Sequence, residues 1–241
     1  ANFENVLGSA FNDTLIGDDG DNELTGGGGR DVLIGDAGDD TINGGGGDIM
    51  FGGDGNDFIF IDGIAADSQA EAFGGDGDDT IIGGTGLDRI NGGAGADFLD
   101  GGAGANNVLY YDTSDAGVNV NLETNEVSGG HAEGDTILNF RDVYGSNFDD
   151  VIIGTIDKNF INSGGGADIL DGGAGADFLG YEGSDEGVFI NLETGETSGG
   201  DAEGDVISNF ENLQGSGKDD HFIGSSGANV IFGREGNDII E

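Results

Sequence analysis

Apolar residues recur along this chain with a nine-residue period, which is clearest at Gly74–Ile82 (GGDGDDTII). The phrase continues without a gap as Gly83–Asn91 and Gly92–Asp100. Its pattern is G-G-x-G-x-D-x-U-x, where U, at position eight, is a large apolar residue. Positions seven to nine predict a short strand, because neighbouring side chains of a strand point to opposite faces. The glycine-rich positions one to six predict a turn.

Seventeen such nonamers can be aligned, and their position-eight residues are all apolar. This regularity predicts one inward-facing column of core side chains. The column consists of Leu15, Leu24, Leu33, Ile42, Met50, Ile59, Ile81, Ile90, Leu99, Val108, Ile152, Ile161, Leu170, Leu179, Phe222, Ile231 and Ile240. We predict an all-β fold, a right-handed parallel β-roll or β-solenoid. Two nonamers form one coil, and no single repeat can bury its apolar residue alone.

The nonamers fall into four runs that are separated by inserts. In chain order, the predicted segments are a β-roll run at 1–60, a short insert at 61–73, a run at 74–109, a long insert at 110–144, a run at 145–180, a second long insert at 181–214 and a run at 215–241. We predict one helical turn around Ser68–Ala72. The nonamer that begins at Gly44 is one residue short, which is expected to weaken the site at Asp48.

The two long inserts match each other at an offset of 70 residues. Alternating apolar residues, such as Val118, Val120 and Leu122, predict that the solenoid continues through them. Each insert also keeps a diverged nonamer with Asp135 or Asp205 at position six. Residues 2–9 match the ends of both inserts, so we expect this sequence to be a segment of a longer repetitive chain.

Composition adds an extreme charge to this pattern. The 241 residues include 54 Gly, no Pro and no Cys, and 49 acidic residues against six basic ones give a formal net charge of −43. Composition alone would indicate a disordered chain, but the fixed period argues against disorder when a counter-ion is present. The scattered basic residues exclude nucleic acid as a partner. No apolar run is long enough for membrane insertion.

Position six supplies candidate metal ligands, since carboxylate and amide oxygens suit Ca²⁺. Aspartate occupies it at Asp13, Asp31, Asp40, Asp48, Asp57, Asp79, Asp88, Asp97, Asp150, Asp168, Asp177, Asp220 and Asp238, and asparagine at Asn22, Asn106, Asn159 and Asn229. With Asp135 and Asp205, these are the predicted metal ligands. Stacked carboxylates would repel one another by roughly 1–4 kcal/mol per pair at a surface-like dielectric. We therefore expect roughly ten calcium ions and a chain that folds on binding them.

The tandem nonamers resemble those of secreted RTX proteins, the hemolysin-type calcium-binding repeats, over nearly the whole chain. The long inserts resemble segments near the RTX modules of mannuronan epimerases and large adhesins. The resemblance implies type I secretion, unfolded export and calcium-driven folding outside the cell or at its surface. Asparagine at four position-six sites departs from the family pattern.

No catalytic constellation is evident. The sequence contains no HExxH zinc motif, its two histidines, His131 and His221, are ninety residues apart, and no phosphate loop is present. We therefore predict a non-enzymatic structural module that serves as a spacer, an adhesin or a surface-layer building block. The alternative is an accessory module of a secreted polysaccharide-modifying enzyme such as an alginate epimerase. For that alternative, the candidates for sugar stacking are Tyr110, Tyr111, Tyr144 and Tyr181.

One outward face of the first run is more apolar than the other. It carries Thr14, Ile16, Val32, Ile34, Ile49 and Phe51, whereas the opposite face begins with Glu23, Thr25, Thr41 and Asn43. Either a neighbouring domain or a second copy of the chain covers this stripe, or β-branched and aromatic residues simply favour strands.

Overall fold

The computed structural model describes residues 4–62 and 69–241, which form two compact units. The first unit comprises the residues up to 110 together with 131–140, and the second comprises 111–130 and 141–241. Both are built from short strands that pair in parallel with strands one coil away. Two 3₁₀ turns, Gly130–Ala132 and Gly200–Ala202, are the helices of the described residues.

The first unit contains strands that are numbered here along the chain. They are β1 (Asn5–Leu7), β2 (Thr14–Ile16), β3 (Glu23–Thr25), β4 (Val32–Ala37), β5 (Thr41–Gly44), β6 (Ile49–Asp54), β7 (Phe58–Ile61), β8 (Gln69–Asp76), β9 (Thr80–Ile82), β10 (Leu87–Ala94), β11 (Phe98–Asp100), β12 (Val108–Tyr110) and β15 (Thr136–Leu138).

These strands alternate between two parallel sheets. One sheet has the order β1-β3-β5-β7-β9-β11-β15, and the other contains β2, β4, β6, β8, β10 and β12 as successive neighbours. Residues of successive coils align one to one, as in Leu24↔Ile42 and Ile42↔Ile59. The alternation confirms that two nonamers make one coil of a parallel β-solenoid.

The second unit contains the remaining strands. They are β13 (Asn119–Asn121), β14 (Glu126–Ser128), β16 (Asp142–Tyr144), β17 (Val151–Ile153), β18 (Phe160–Asn162), β19 (Ile169–Asp171), β20 (Phe178–Gly180), β21 (Phe189–Asn191), β22 (Glu196–Ser198), β23 (Val206–Ser208), β24 (Asn212–Gln214), β25 (His221–Ile223), β26 (Ile231–Phe232) and β27 (Ile239–Ile240). One sheet runs β16-β18-β20-β24-β26, and the opposite face consists of two sheets, β14-β13-β17-β19-β23 and β22-β21-β25-β27.

Position-eight side chains fill the interior of each unit. Leu24, Ile42, Ile81 and Leu99 are fully buried in the first unit, and Ile152 is fully buried in the second. They point inward because position eight is the central residue of each three-residue rung. In the last strand, by contrast, Ile240 is 52% exposed, since β27 is the edge strand of its sheet.

Strands β13 and β21 of the long inserts pair in parallel with strands of the nonamer runs, and Val118, Val120 and Ile190 are buried. The sequence pattern did not reveal an antiparallel hairpin in each insert, β13 with β14 and β21 with β22. The turns of these hairpins place Asn125 and Gly195 at φ values of 57° and 73°. The end of each insert forms one further strand, β16 or β24.

Two predictions about local structure were wrong. The helical turn at Ser68–Ala72 is absent from its described part, because residues 69–72 belong to β8 and alternate Ala70 and Ala72 inward; Ser68 lies outside the described residues. The last nonamer of the second run is displaced by one residue, since Ile90 pairs with Leu109 rather than with Val108.

No helix within the described part of the chain is long and apolar enough to cross a bilayer.

Candidate metal centre

Position-six residues stack along the edges of the sheets because each immediately precedes a paired strand. Along one edge of the first unit, the backbone N–H of each residue donates to the Oδ1 atom of the residue one coil further on. The N···O distances are 2.8 Å from Asp40 to Asp57, 2.8 Å from Asp57 to Asp79 and 2.9 Å from Asp79 to Asp97. One carboxylate oxygen per coil is therefore used to hold the coils in register.

The same arrangement recurs at other edges. Asp13 donates to Asp31, Asp31 to Asp48, Asp150 to Asp168 and Asp220 to Asp238, at 2.8–3.0 Å. The register of the nonamers thus places the predicted aspartates in columns.

The second carboxylate oxygen distinguishes two groups of aspartates. In one group, Oδ2 is buried and has no hydrogen-bond partner. This group contains Asp31, Asp40, Asp57, Asp79, Asp97, Asp168 and Asp177, whose residues are at most 2% exposed. A buried anionic oxygen without a partner is costly, so these seven atoms are the strongest indication of a ligand in the structure.

A backbone carbonyl lies close to each of several such oxygens. A Cβ atom added to Gly74 would lie 2.1 Å from Asp79 Oδ2 and 2.3 Å from the carbonyl oxygen of Gly92 in the next coil. A Cβ atom added to Gly52 would lie 2.0 Å from Asp57 Oδ2 and 2.6 Å from the Gly74 carbonyl oxygen. A carboxylate and a carbonyl thus converge on a point that glycine leaves open, and only glycine fits position one there.

This donor set fits a hard divalent cation. Ca²⁺ takes six to eight oxygen ligands from carboxylates, backbone carbonyls and water. Within residues 4–62 and 69–241, no three His, Asp or Glu side chains are grouped so as to hold a metal without other ligands. A cation at these positions would therefore also take backbone carbonyls as ligands, which glycine allows to approach closely.

Burial raises the pKa of several of these acids. It raises the pKa of Asp79 to about 8, with further contributions from the charges of Asp97 and Asp57. It also raises the pKa of Asp97 and Asp168 to about 7 and that of Asp57 to about 6. Each ionised carboxylate is disfavoured in the ion-free fold, and a cation would offset this cost.

In the second group of aspartates, a position-two N–H donates to Oδ2. The donor and acceptor pairs are Ser9 and Asp13 at 2.6 Å, Gly45 and Asp48 at 2.6 Å, Gly84 and Asp88 at 2.8 Å, Ser146 and Asp150 at 2.7 Å, and Ser216 and Asp220 at 2.8 Å. In the nonamer that is one residue short, the bond from the Gly45 N–H closes the turn at Asp48. It occupies Oδ2, the atom that has no partner in the first group of aspartates.

Asparagine at position six removes the negative charge, and its side-chain oxygen accepts a hydrogen bond within the same nonamer. Oδ1 of Asn22, Asn159 and Asn229 accepts the position-two N–H at 2.7–2.9 Å. In the second unit, the amide groups of Asn159 and Asn229 also donate to the backbone carbonyls of Arg141 and Glu211, at 2.6 and 2.7 Å.

The alignment that placed Asn106 at position six is wrong by one residue. Asn107 occupies that place, and its Oδ1 atom accepts the N–H of Asp88 at 3.2 Å. This agrees with the pairing of Arg89 with Val108.

The two insert aspartates belong to the columns. Asp135 Oδ1 accepts the Asp97 N–H at 2.9 Å, and Asp205 Oδ1 accepts the Asp168 N–H at 3.0 Å. Oδ2 of Asp205 also accepts the hydroxyl of buried Tyr181 at 2.7 Å. Burial raises the pKa of Tyr181 well above its ordinary value and raises that of Asp205 to about 6.

The sequence pattern missed two further sets of acceptors. At position five, Asp39 donates its N–H to Asp21 Oδ1 at 3.1 Å, and Asp78 donates to Asn56 Oδ1 at 2.8 Å. The frequent Asp and Asn at this position were the available signal. In the second unit, the Asp177 N–H donates to Glu211 Oε2 at 2.9 Å, so a glutamate from the end of an insert replaces aspartate.

A comparison with protein families finds one that accounts for most of the chain. A family model described as RTX calcium-binding nonapeptide repeat (4 copies) matches residues 7–42, 25–59, 73–108, 144–179 and 209–241. A comparison with curated proteins finds no match.

Proposed function

This chain belongs to the RTX calcium-binding nonapeptide repeat family, and on that premise we propose that it is a calcium-folded structural segment of a protein that acts outside the cell. RTX repeats bind calcium and are typical of secreted proteins. The finer roles of spacer, adhesin or surface-layer element belong to this proposal, as do export through type I secretion and a site at the cell surface.

The column of unpartnered carboxylate oxygens carries the proposal. Asp57, Asp79 and Asp97 follow one another along one edge, each with a buried Oδ2 atom that has no partner. Two such charges about 4 Å apart repel each other by roughly 1–4 kcal/mol, depending on the local dielectric. Calcium supplies the opposing charge when it is bound. The residues that would hold it are the position-six aspartates and the position-one carbonyls of the next coil.

Calcium binding is thereby coupled to folding. Without the ion, the net charge of −43 and the buried carboxylates favour an expanded chain. Low cytosolic calcium would keep the chain unfolded during export, and millimolar external calcium would fold it.

The test is a circular dichroism titration from EGTA into calcium, with magnesium as the matched ion. We expect a coil-like spectrum in EGTA and a cooperative gain of β signal with calcium. Magnesium should produce much less, because it requires octahedral geometry and retains its water. A fully folded chain in EGTA at neutral pH would refute the proposal.

A second function, binding of an extracellular polysaccharide, is favoured by one surface of the second unit. There the rings of Tyr144 and Phe160 lie 5.7 Å apart, and the Lys158 ammonium lies 4.5 Å from the centre of the Phe178 ring. Half-exposed aromatic rings and the ammonium group of Lys158 suit the apolar faces and acidic groups of sugars. Two of the four candidate tyrosines, Tyr111 and Tyr181, are 1% exposed and cannot stack on a sugar.

Binding to immobilised alginate in calcium distinguishes this function from a purely structural role. Wild type and Tyr144→Ala are compared, with a neutral glucan as the control polymer. Retention of wild type on alginate that Tyr144→Ala loses would support polysaccharide binding. Equal elution of both proteins from the two polymers would leave the structural role alone.

A further inference from the structure

We infer that the backbone conformation at position two decides which position-six carboxylates of this chain hold calcium. This inference rests on the proposed function and deepens it by assigning individual ligands. The assigned ligands, called the uncapped carboxylates, are Asp31, Asp40, Asp57, Asp79, Asp97, Asp168, Asp177 and Asp238. The capped carboxylates, which we infer do not bind the ion through Oδ2, are Asp13, Asp48, Asp88, Asp150, Asp205 and Asp220.

Every uncapped carboxylate has a position-two residue with positive φ in its own nonamer. These residues, with their φ angles, are Gly27 at 93°, Asp36 at 86°, Gly53 at 125°, Gly75 at 126°, Gly93 at 99°, Gly164 at 85°, Gly173 at 86° and Arg234 at 70°. The position-two residues that cap an aspartate through their N–H, namely Ser9, Gly45, Gly84, Ser146 and Ser216, do not have positive φ.

The correlation has a direct geometric cause. The angle φ sets the orientation of the peptide plane between positions one and two relative to the rest of the turn. In one orientation, the position-two N–H points back to the carboxylate of the same nonamer, as from Gly84 to Asp88 at 2.8 Å. In the other, that N–H is turned away and Oδ2 keeps no partner, as at Asp79.

The same rotation supplies the second kind of ligand. When the residue at position two has positive φ, the carbonyl oxygen of the residue at position one lies against the preceding coil. Gly92, which precedes Gly93, places its oxygen 2.3 Å from the Cβ position of Gly74. Gly44, which precedes the capping Gly45, has no carbonyl oxygen among the three atoms nearest to the Cβ position of Gly26. One torsion angle thus exposes a carboxylate oxygen and contributes a carbonyl to its neighbour.

The capped and uncapped carboxylates should therefore differ in how readily they bind calcium. A buried carboxylate oxygen without a partner gains a ligand when an ion arrives, whereas a capped oxygen must first lose a charge-assisted hydrogen bond. Asp205 belongs to the capped group because the Tyr181 hydroxyl takes the place of the position-two N–H.

Capped aspartates occur in the first nonamer of three of the four runs. The first nonamers of the first, third and fourth runs begin Gly8-Ser9, Gly145-Ser146 and Gly215-Ser216, and all three are capped. Each of these runs therefore starts with a coil held by hydrogen bonds rather than by an ion at its own aspartate.

The test compares Asp79→Asn with Asp88→Asn, two substitutions in neighbouring nonamers of one run. Equilibrium dialysis gives the number of calcium ions bound, and circular dichroism gives the calcium midpoint of folding. We expect Asp79→Asn to lower the number of ions bound and raise the midpoint about tenfold, because calcium affinity falls as the number of charged ligands falls. Asp88→Asn should leave both values unchanged, because its amide oxygen can still accept the Gly84 N–H.

A second pair of substitutions, near the end of the chain, tests the same inference if Asp79→Asn fails to fold. Asp238 is uncapped and partly exposed, and Asp220 is capped by Ser216. Asp238→Asn should lose calcium, whereas Asp220→Asn should not. Equal losses within both pairs would overturn the selection by position two. Unchanged binding in all four variants would instead refute the proposed function, because the carboxylates would then not hold calcium.

Discussion

The amide N–H of Asp79 donates a 2.9 Å hydrogen bond to Oδ1 of Asp97 one coil further on, and Oδ2 of Asp97 is buried without a partner. The same carboxylate thus performs two tasks. One oxygen sets the register between coils through a backbone hydrogen bond, and the other, which has no partner, is the one that we propose binds an ion. This division explains why a regular solenoid and a regular column of charges arise from the same nine-residue repeat.

The calcium-free chain should become more ordered as pH falls. Burial raises the folded-state pKa of Asp79 to about 8, of Asp97 to about 7 and of Asp57 to about 6, from an unfolded value of 3.8. At a pH between the unfolded pKa and the folded pKa of each carboxyl, the folded state binds more protons than the unfolded state. The stability of the fold is therefore lost as pH rises from about 4 to about 8. Circular dichroism in EGTA should show β signal near pH 4 that disappears by pH 8.

Calcium is the control for this pH dependence. Saturating calcium should keep the β signal at pH 8, because the ion binds the deprotonated carboxylates. A calcium-free spectrum that gains β signal as pH rises would contradict the assignment of these pKa shifts.

Gly74→Ala should block one of the proposed metal sites without changing any charge. The new Cβ would lie 2.1 Å from Asp79 Oδ2 and 2.3 Å from the Gly92 carbonyl oxygen, where both atoms would have to move. We expect a higher calcium midpoint of folding and fewer bound ions, as measured by titration. Gly183→Ala is the matched control, since a Cβ there meets no atom within 4 Å. Equal effects of the two substitutions would show that the convergence of the two oxygens has no role.

Tyr181→Phe should destabilise the calcium-loaded protein. The substitution removes the hydroxyl that donates to Asp205 and leaves a buried carboxylate oxygen unsatisfied, at a cost of about 1–3 kcal/mol. Thermal unfolding in saturating calcium measures the loss. Tyr144→Phe removes a comparable bond to the half-buried Glu182 and should cost less than about 1 kcal/mol. A smaller effect at Tyr181 than at Tyr144 would contradict the capping role.

Phe51→Ser tests the apolar stripe of the first unit. The Phe51 and Phe73 rings stack at 5.0 Å on adjacent strands, so each already has a partner within the sheet. We expect a loss of about 1 kcal/mol of stability and an unchanged molar mass by light scattering, with Val32→Ser as the companion variant. A change in molar mass for both variants would show instead that the stripe is an interface between copies.

Much of the architecture could be read from the sequence because it is a local, repeated property. The apolar residue at position eight determined the strands and the core, and its period of nine determined the parallel stacking of alternate nonamers. The recurrence of Asp57, Asp79 and Asp97 at position six placed the predicted ligands in columns. Metal binding by these particular residues stays a prediction.

Only the tertiary structure decided which carboxylates have a hydrogen-bond donor at Oδ2 and which do not. Asp79 and Asp88 occupy the same place in the repeat, yet one has an open oxygen and the other is capped by Gly84. Both have glycine at position two, so composition cannot tell them apart. The sign of φ differs between these two glycines, being positive at Gly75 and not at Gly84, and the cap on Asp205 comes from Tyr181, 24 residues away. The sequence by itself determined the repeat, whereas the packing of one coil on the next decided which charges remain open, because a glycine backbone adopts either sign of φ at little cost.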